Sequence, residues 1–348
     1  MKHIALLIWL VIFAHAADAR DTWKDVDRIV VIGDVHGDFN AYQQVLKNSG
    51  IVDESLDWIG GNTHLVQIGD VSDRGPDTLD IVRHLTKLEK QAKRAKGRVH
   101  VLIGNHEMMN ITGDLRFVHP GEYAAFVTRD SERYQNDYVG RVLEWRLQQD
   151  PSQEARKAEL LEELKLKYPP GYVEHRNAWM KDGDIYRWIL DKKAVIKINN
   201  ILFVHAGLNP YAELMKIEDI NRAVRQALSD SSDIAPILLD DGPLWYRGLV
   251  KDEAETVLEP LQALLDYYDV DHIIVGHTPS LDRIRMRFDG KVIVTDTGMS
   301  EYYGGIRASL LIEDGKFVVN HEGVEIDFPL QETDRPRYLQ QIEALGQE

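Results

Sequence analysis

Short runs of β-branched and other apolar residues recur along the chain, and each ends in a turn rich in glycine and polar groups. Ile29-Val30-Val31-Ile32 leads into GDVHGD, Leu65-Val66-Gln67-Ile68 into GDVSDRG, and Val99-His100-Val101-Leu102-Ile103 into GNHE. Further on, Ile201-Leu202-Phe203-Val204 meets HAGL, Ile273-Ile274-Val275 meets GHT, and Val292-Ile293-Val294 meets TDTGMS. Apolar runs of this length, closed by such turns, read as buried strands. Helical patterns separate several of them. Pro76 to about Lys96 is one, with Pro at a favoured first-turn position and Leu79, Val82, Leu85 and Leu88 on one face. The pattern predicts a layered α/β core. In such folds ligands bind beyond the carboxyl ends of the strands, so the polar clusters should converge on one rim.

Between GNHE and HAGL the chain is dominated by helical signals, including Pro151 to Tyr168 and Glu174 to Leu190. This stretch, about 120–192, reads as a helical insertion or cap, because the strands on both sides belong to one core. Within it EARKAELLEELKLK reads as a charged, solvated helix with a leucine stripe. The main domain is placed at 20–330, followed by a polar tail at 331–348 with a possible short terminal helix.

Composition narrows the picture in three ways. The formal charge of -16 argues against a nucleic-acid binder, which needs clustered Lys and Arg. The chain has no cysteine, which excludes disulfides, thiolate ligands and cysteine nucleophiles. Lys2, the apolar run from Ile4 to Phe13 and the small residues at 14–19 form the pattern of a cleavable secretory signal, residues 1–19, too short for a good membrane span. Cleavage after Ala16 or Ala19 fits equally. Export to the periplasm or the exterior is expected, with no stable membrane insertion once the signal is removed.

The chemistry concentrates at the predicted strand ends. Asp34, His36, Asp70, Asn105, His205 and His277 supply carboxylate, imidazole and amide-oxygen donors there. Two divalent ions require roughly this set, with one carboxylate bridging. Mixed N/O ligands suit Mn, Fe or Zn without choosing among them.

The ordered combination GDVHG, GDVSDRG, GNHE, HAGL and GHT resembles the calcineurin-like metallophosphatases, and specifically their phosphoprotein phosphatase group. The resemblance spans most of Arg28 to Thr297. GNHE continuing as MMNITGDLRFV, together with GPLWYRG, is similar to the Shewanella-like protein phosphatases. TDTGMSEYYGG stands where eukaryotic serine/threonine members carry a SAPNYC-type stretch, and several Shewanella-like members prefer phosphotyrosine. The resemblance implies a β-sandwich flanked by helices and a dinuclear site. In that site Asp34 and His36 hold the first metal, Asp70 bridges, and Asn105, His205 and His277 hold the second. It implies a phosphomonoesterase acting on phosphorylated protein or peptide through a hydroxide bridging the metals, with phosphotyrosine as the leading substrate.

Roles for the remaining motif residues follow from that chemistry. Arg74 and Arg247 are candidate phosphate clamps, each with a structural role as the alternative: for Arg74, a salt bridge closing its loop. His106 is the candidate general acid and Asp73 the carboxylate that orients it. Glu107 reads as a cap or loop support, and His119, His175 and His272 as surface or core residues. Asp296 stands beside the ligands in an undetermined role. Tyr246, Tyr302 and Tyr303 either wall an aromatic pocket or pack in the core. A dinucleoside polyphosphate or other small-molecule phosphoesterase is the competing enzyme reading, and a metal-holding module that binds phosphoproteins the non-enzymatic one.

Overall fold

The computed structural model describes residues 20–230 and 235–345; the expected secretory signal lies outside them. The strands are β1 Thr22–Trp23, β2 Arg28–Ile32, β3 His64–Gln67, β4 Arg98–Val101, β5 Val195–Ile198, β6 Ile201–Val204, β7 His272–Val275, β8 Arg285–Arg287, β9 Val292–Val294, β10 Ala308–Glu313, β11 Lys316–His321 and β12 Val324–Asp327. They form two six-stranded sheets, ordered β12-β11-β10-β2-β3-β4 and β1-β5-β6-β7-β9-β8. The helices are α1 Phe39–Asn48, α2 Thr78–Arg94, α3 Asn105–Thr112, α4 Pro120–Ala125, α5 Ser131–Gln149, α6 Lys157–Lys167, α7 Tyr172–Trp179, α8 Asp184–Leu190, α9 Ile217–Ser229, α10 Gly248–Lys251, α11 Ala254–Tyr268 and α12 Arg335–Leu345. The result is the expected α/β sandwich flanked by helices.

The continuous apolar runs are explained by burial on both faces of each strand. Alternate residues of β2, Ile29 and Val31, meet Ile201, Phe203, Ile274 and Ile293 between the sheets. Val30 and Ile32 face outward against Tyr42, Leu46, Ile81 and Leu85 of α1 and α2. On the other sheet, Leu202 and Val204 pack outward against Val224, Leu261 and Leu264 of α9 and α11. Parallel register fixes the strand ends side by side: Ile32 opposes Gln67, which opposes Val101. In the second sheet Phe203 opposes Ile274, which opposes Ile293. All six motif-bearing strands therefore deliver their loops to one rim.

Two details differ from expectation and one is filled in. Helix α2 starts at Thr78, not Pro76, because Gly75 N–H donates to His36 O (3.0 Å) and Asp77 N–H to Gly37 O (2.9 Å), tying the preceding turn to the first motif. The leucine stripe of α6 is not merely a solvated face: Leu160 and Leu164 bury against Val139 and Leu143 of α5, a small core of their own. The carboxyl-terminal segment forms the short helix the sequence allowed, α12, and docks on the sandwich. Tyr338 of α12 is buried, donates to Ile284 O at 3.0 Å and stacks edge-on against Phe328. Among the described residues no helix is long and apolar enough to cross a membrane.

Tyr338→Ala is expected to cost about 3–5 kcal/mol by cavity formation, and Tyr338→Phe about 1 kcal/mol for the lost hydrogen bond. Denaturant unfolding of both variants checks this ordering.

Candidate metal centre

Each loop at the rim is held in a conformation that aims one or two side chains inward. His36, Asp70, Asp73, Arg74 and His277 all have positive φ, between 48° and 71°. Such values are costly for non-glycine residues and persist only where surrounding bonds over-determine them. For the Asp70 loop the agent is Glu107, on the first turn of α3. Its carboxylate accepts from the N–H groups of Asp70 (3.0 Å), Val71 (2.9 Å), Ser72 (3.1 Å) and Gly104 (2.9 Å), and from Ser72 Oγ (3.0 Å). The expected support role of Glu107 is thus visible in detail. Gly104 is obligatory in the same contact, since a Cβ there would lie 2.2 Å from Asp70 Oδ1. Gly276, before His277, is equally constrained, at 2.2 Å from Asp34 Oδ1.

The structure brings all six predicted donors together, and all are buried. Asp70 is the common member of two candidate metal-holding groups, His36–Asp70–His106 and Asp70–His205–His277. Asp34 Oδ2 lies 4.0 Å from His36 Nε2 and also accepts from His277 N–H at 2.9 Å. Asn105 Oδ1 and His205 Nε2 are 3.1 Å apart.

The donor set fits cations on two grounds. First, the ring nitrogens facing carbonyl oxygens must be the protonated ones: His36 Nδ1 on Ser72 O (3.1 Å), His205 Nδ1 on Ile68 O (2.9 Å) and His277 Nε2 on Trp245 O (3.2 Å). The opposite nitrogen of the neutral His36 and His277 rings is left as a lone-pair donor, the usual arrangement around bound metals, while His205 Nε2 faces Asn105 Oδ1 and Asp70 Oδ2. Second, the site gathers buried carboxylates that repel one another. Burial, then Asp296 and Asp70, raise Asp34, while burial pushes Asp296 up to about 6. Burial lowers His36 to about 3 and His277 to about 2, leaving both rings neutral. Burial would also raise Asp70 and lower His205 and His106, but the mutual attraction of these groups wins, holding Asp70 low and both imidazoles high. The cluster thus calls for positive charge around Asp70, which metal cations supply.

His106 Nε2 lies 3.9 Å from Asp70, close to the 3.8 Å of His36, but its other nitrogen is engaged differently. Nδ1 contacts Asp73 Oδ2 at 2.6 Å, and the second Asp73 oxygen accepts from Asn110 Nδ2 at 2.8 Å. Arg74 makes no ion pair among the described residues, so the loop-closing salt bridge is absent. Its guanidinium lies 3.8 Å over the Phe117 ring and 4.6 Å from that of Tyr302, and donates to Tyr302 Oη at 3.0 Å. Arg247 donates to His277 O (2.7 Å) and Thr278 Oγ1 (3.0 Å). Tyr303 stands 5.2 Å from the His36 ring, whereas Tyr246 belongs to the core beneath α9 and α11. Of the three other histidines singled out in the sequence, His119 caps α4, His272 bonds Gly290 O and His175 is fully buried. Sequence reasoning assigned no role to Asn110 and Phe117, although both lie in the MMNITGDLRFV stretch, and missed Glu122, which carries no motif of its own.

A rim of buried carboxylates and imidazoles at the carboxyl ends of a two-sheet sandwich defines a metallophosphoesterase. The calcineurin-like phosphoesterase family model matches residues 27–281, and the chain belongs to that family. Among its relatives, Shewanella-like protein phosphatase 1 of Plasmodium berghei is 30% identical over 337 residues, covering 89% of this chain and 81% of that one. Shewanella-like protein phosphatase 2 of Arabidopsis thaliana is 31% identical over 291 residues, covering 79% and 72%. The crystal structure of the cold-active protein-tyrosine phosphatase of a psychrophilic Shewanella species matches with a TM-score of 0.67 at 27% identity, covering 88% of this chain and 82% of that one.

Glu107→Ala is expected to weaken metal binding about 10–100-fold, since the loop carrying Asp70 loses its acceptor. Competition titration against a chelator measures it.

Proposed function

We propose that this metallophosphoesterase is a two-metal protein phosphatase that prefers phosphotyrosine. The observation that carries the reading is Arg74, a cation between the rings of Phe117 and Tyr302 beside the metal-holding cluster, with its buried Nε lacking a partner among the described residues. A planar guanidinium with free N–H groups suits phosphoryl oxygens, and the flanking rings suit an aromatic ester. The protein-tyrosine phosphatase activity named for the Shewanella relative supports the same substrate.

Asp34, His36 and Asp70 would hold one ion, and Asp70, Asn105, His205 and His277 the other. When bound, such ions polarise phosphoryl oxygens and make water nucleophilic at neutral pH. Mn, Fe and Zn all fit the N/O donors.

The chain's own groups complete the chemistry. Arg74 and Arg247 bind and orient the phosphoryl group. His106, its Nδ1 held by Asp73, presents a proton on Nε2 to the leaving oxygen. A phenolic oxygen, of pKa near 10, needs this proton less than an alkoxide does. The substrate is a phosphorylated protein or peptide, and the amino-terminal signal pattern supports export to the periplasm or exterior.

Steady-state kcat/KM on matched phosphotyrosine and phosphoserine peptides, with the manganese-loaded protein and a chelator control, is expected to show a chelator-sensitive preference for phosphotyrosine. Metal-dependent turnover without that preference redirects the substrate to small phosphoesters. His106→Ala is expected to lower kcat by about 10²–10⁴ while metal content, measured by elemental analysis, stays at the wild-type level. Loss of metal in this variant would make His106 a ligand instead.

A further inference from the structure

Two amides of the loop that carries Asp73 and Arg74 are held by the segment leading into the insertion and by its first helix, not by the sandwich core. Arg74 N–H donates to Phe117 O at 3.0 Å, and Asp73 N–H to Glu122 Oε1 at 2.9 Å. Both residues sit at positive φ, 67° and 71°, so their conformation depends on such bonds. Glu122 lies on α4 and is 1% exposed. The same Oε1 also accepts from Thr78 Oγ1 at 2.9 Å, at the start of α2. Its Oε2 has no hydrogen-bond partner among the described residues and faces His175 Nε2 on α7 at 3.5 Å.

Burial, then Asp73, raises the Glu122 carboxyl well above the ordinary range, and burial lowers His175 to about 3, so the two meet as neutral groups. Burying an acid this incompletely bonded is costly. What the acid secures is the residue that grips His106: Asp73 Oδ2 contacts His106 Nδ1 at 2.6 Å.

We propose that Glu122 is a positioning residue for proton delivery: through the Asp73 amide it fixes the carboxylate that aims His106, so the helical insertion sets the geometry of leaving-group protonation. The inference rests on the assignment of His106 as general acid. A structural role alone would lower turnover for every substrate alike. A role through His106 depends on the leaving group, because poor leaving groups need the proton more.

The test uses the full-length, manganese-loaded protein with a series of aryl phosphates running from p-nitrophenyl phosphate to phenyl phosphate. Glu122→Ala is expected to lower kcat on phenyl phosphate about tenfold or more, with a clearly smaller loss on p-nitrophenyl phosphate and therefore a steeper dependence on leaving-group pKa. Glu122→Gln keeps the acceptor oxygen, is isosteric with the neutral acid, and should restore the wild-type slope. Combined with His106→Ala, Glu122→Ala should add no further loss. Thr78→Ala removes the other donor to Oε1 and should reproduce the steeper slope in milder form, which keeps the test decisive if Glu122→Ala does not fold. Equal losses along the series in the variants that fold, or additive losses in the double variant, would overturn the proposal. Wild-type protein without chelator-sensitive turnover would instead overturn the assignment as a phosphatase.

Discussion

The Asp70 loop turns against its own backbone preferences, and the Glu107 carboxylate is what holds it there. Four amides and a hydroxyl converge on that one side chain. Without such convergence the positive φ at Asp70 would relax and its carboxylate, common to both donor groups, would move with it. A buried acceptor that satisfies several donors at once converts one residue's position into the position of a whole loop.

The sandwich supplies the other half of this arrangement. Parallel pairing of β2, β3 and β4, and of β6, β7 and β9, puts the ends of both strand sets at the same height. Interlocking of Ile29 and Val31 with Phe203 and Ile274 fixes the spacing between sheets. Donors separated widely in sequence therefore meet within a few ångströms, as Asn105 and His205 do at 3.1 Å. The electrostatic cost of that meeting is met by charge of the opposite sign and by burial that keeps His36 and His277 neutral.

Much of this was legible in the chain itself. Period and turn chemistry marked the strands, and short polar motifs after them marked the donors, because a buried strand end leaves few residue types that tolerate the rim. The start of α2 was misplaced because two backbone hydrogen bonds to the first motif, invisible locally, override the helix preference of proline. The carboxyl-terminal segment read as polar because the apolar residues of α12 that dock it, Tyr338, Leu339, Ile342 and Leu345, are interspersed with polar ones. Asn110, Phe117 and Glu122 escaped notice for a different reason. Each acts on Asp73 or Arg74 across a tertiary contact, so even where a motif contains them, as MMNITGDLRFV contains Asn110 and Phe117, its spacing does not say what they touch.

The insertion between α3 and β5 is mechanically divided. Its foot, formed by α4 and α7, touches the loops of the rim, whereas α5 and α6 close on each other over Val139, Leu143, Leu160 and Leu164. A hairpin with its own seam of apolar residues draws little of its cohesion from the sandwich. Its outer surface, which includes the exposed Trp145 and Leu166, is therefore free to diverge or lengthen while the foot and the rim stay fixed. The hairpin's cohesion and the rim's geometry thus rest on separate sets of contacts.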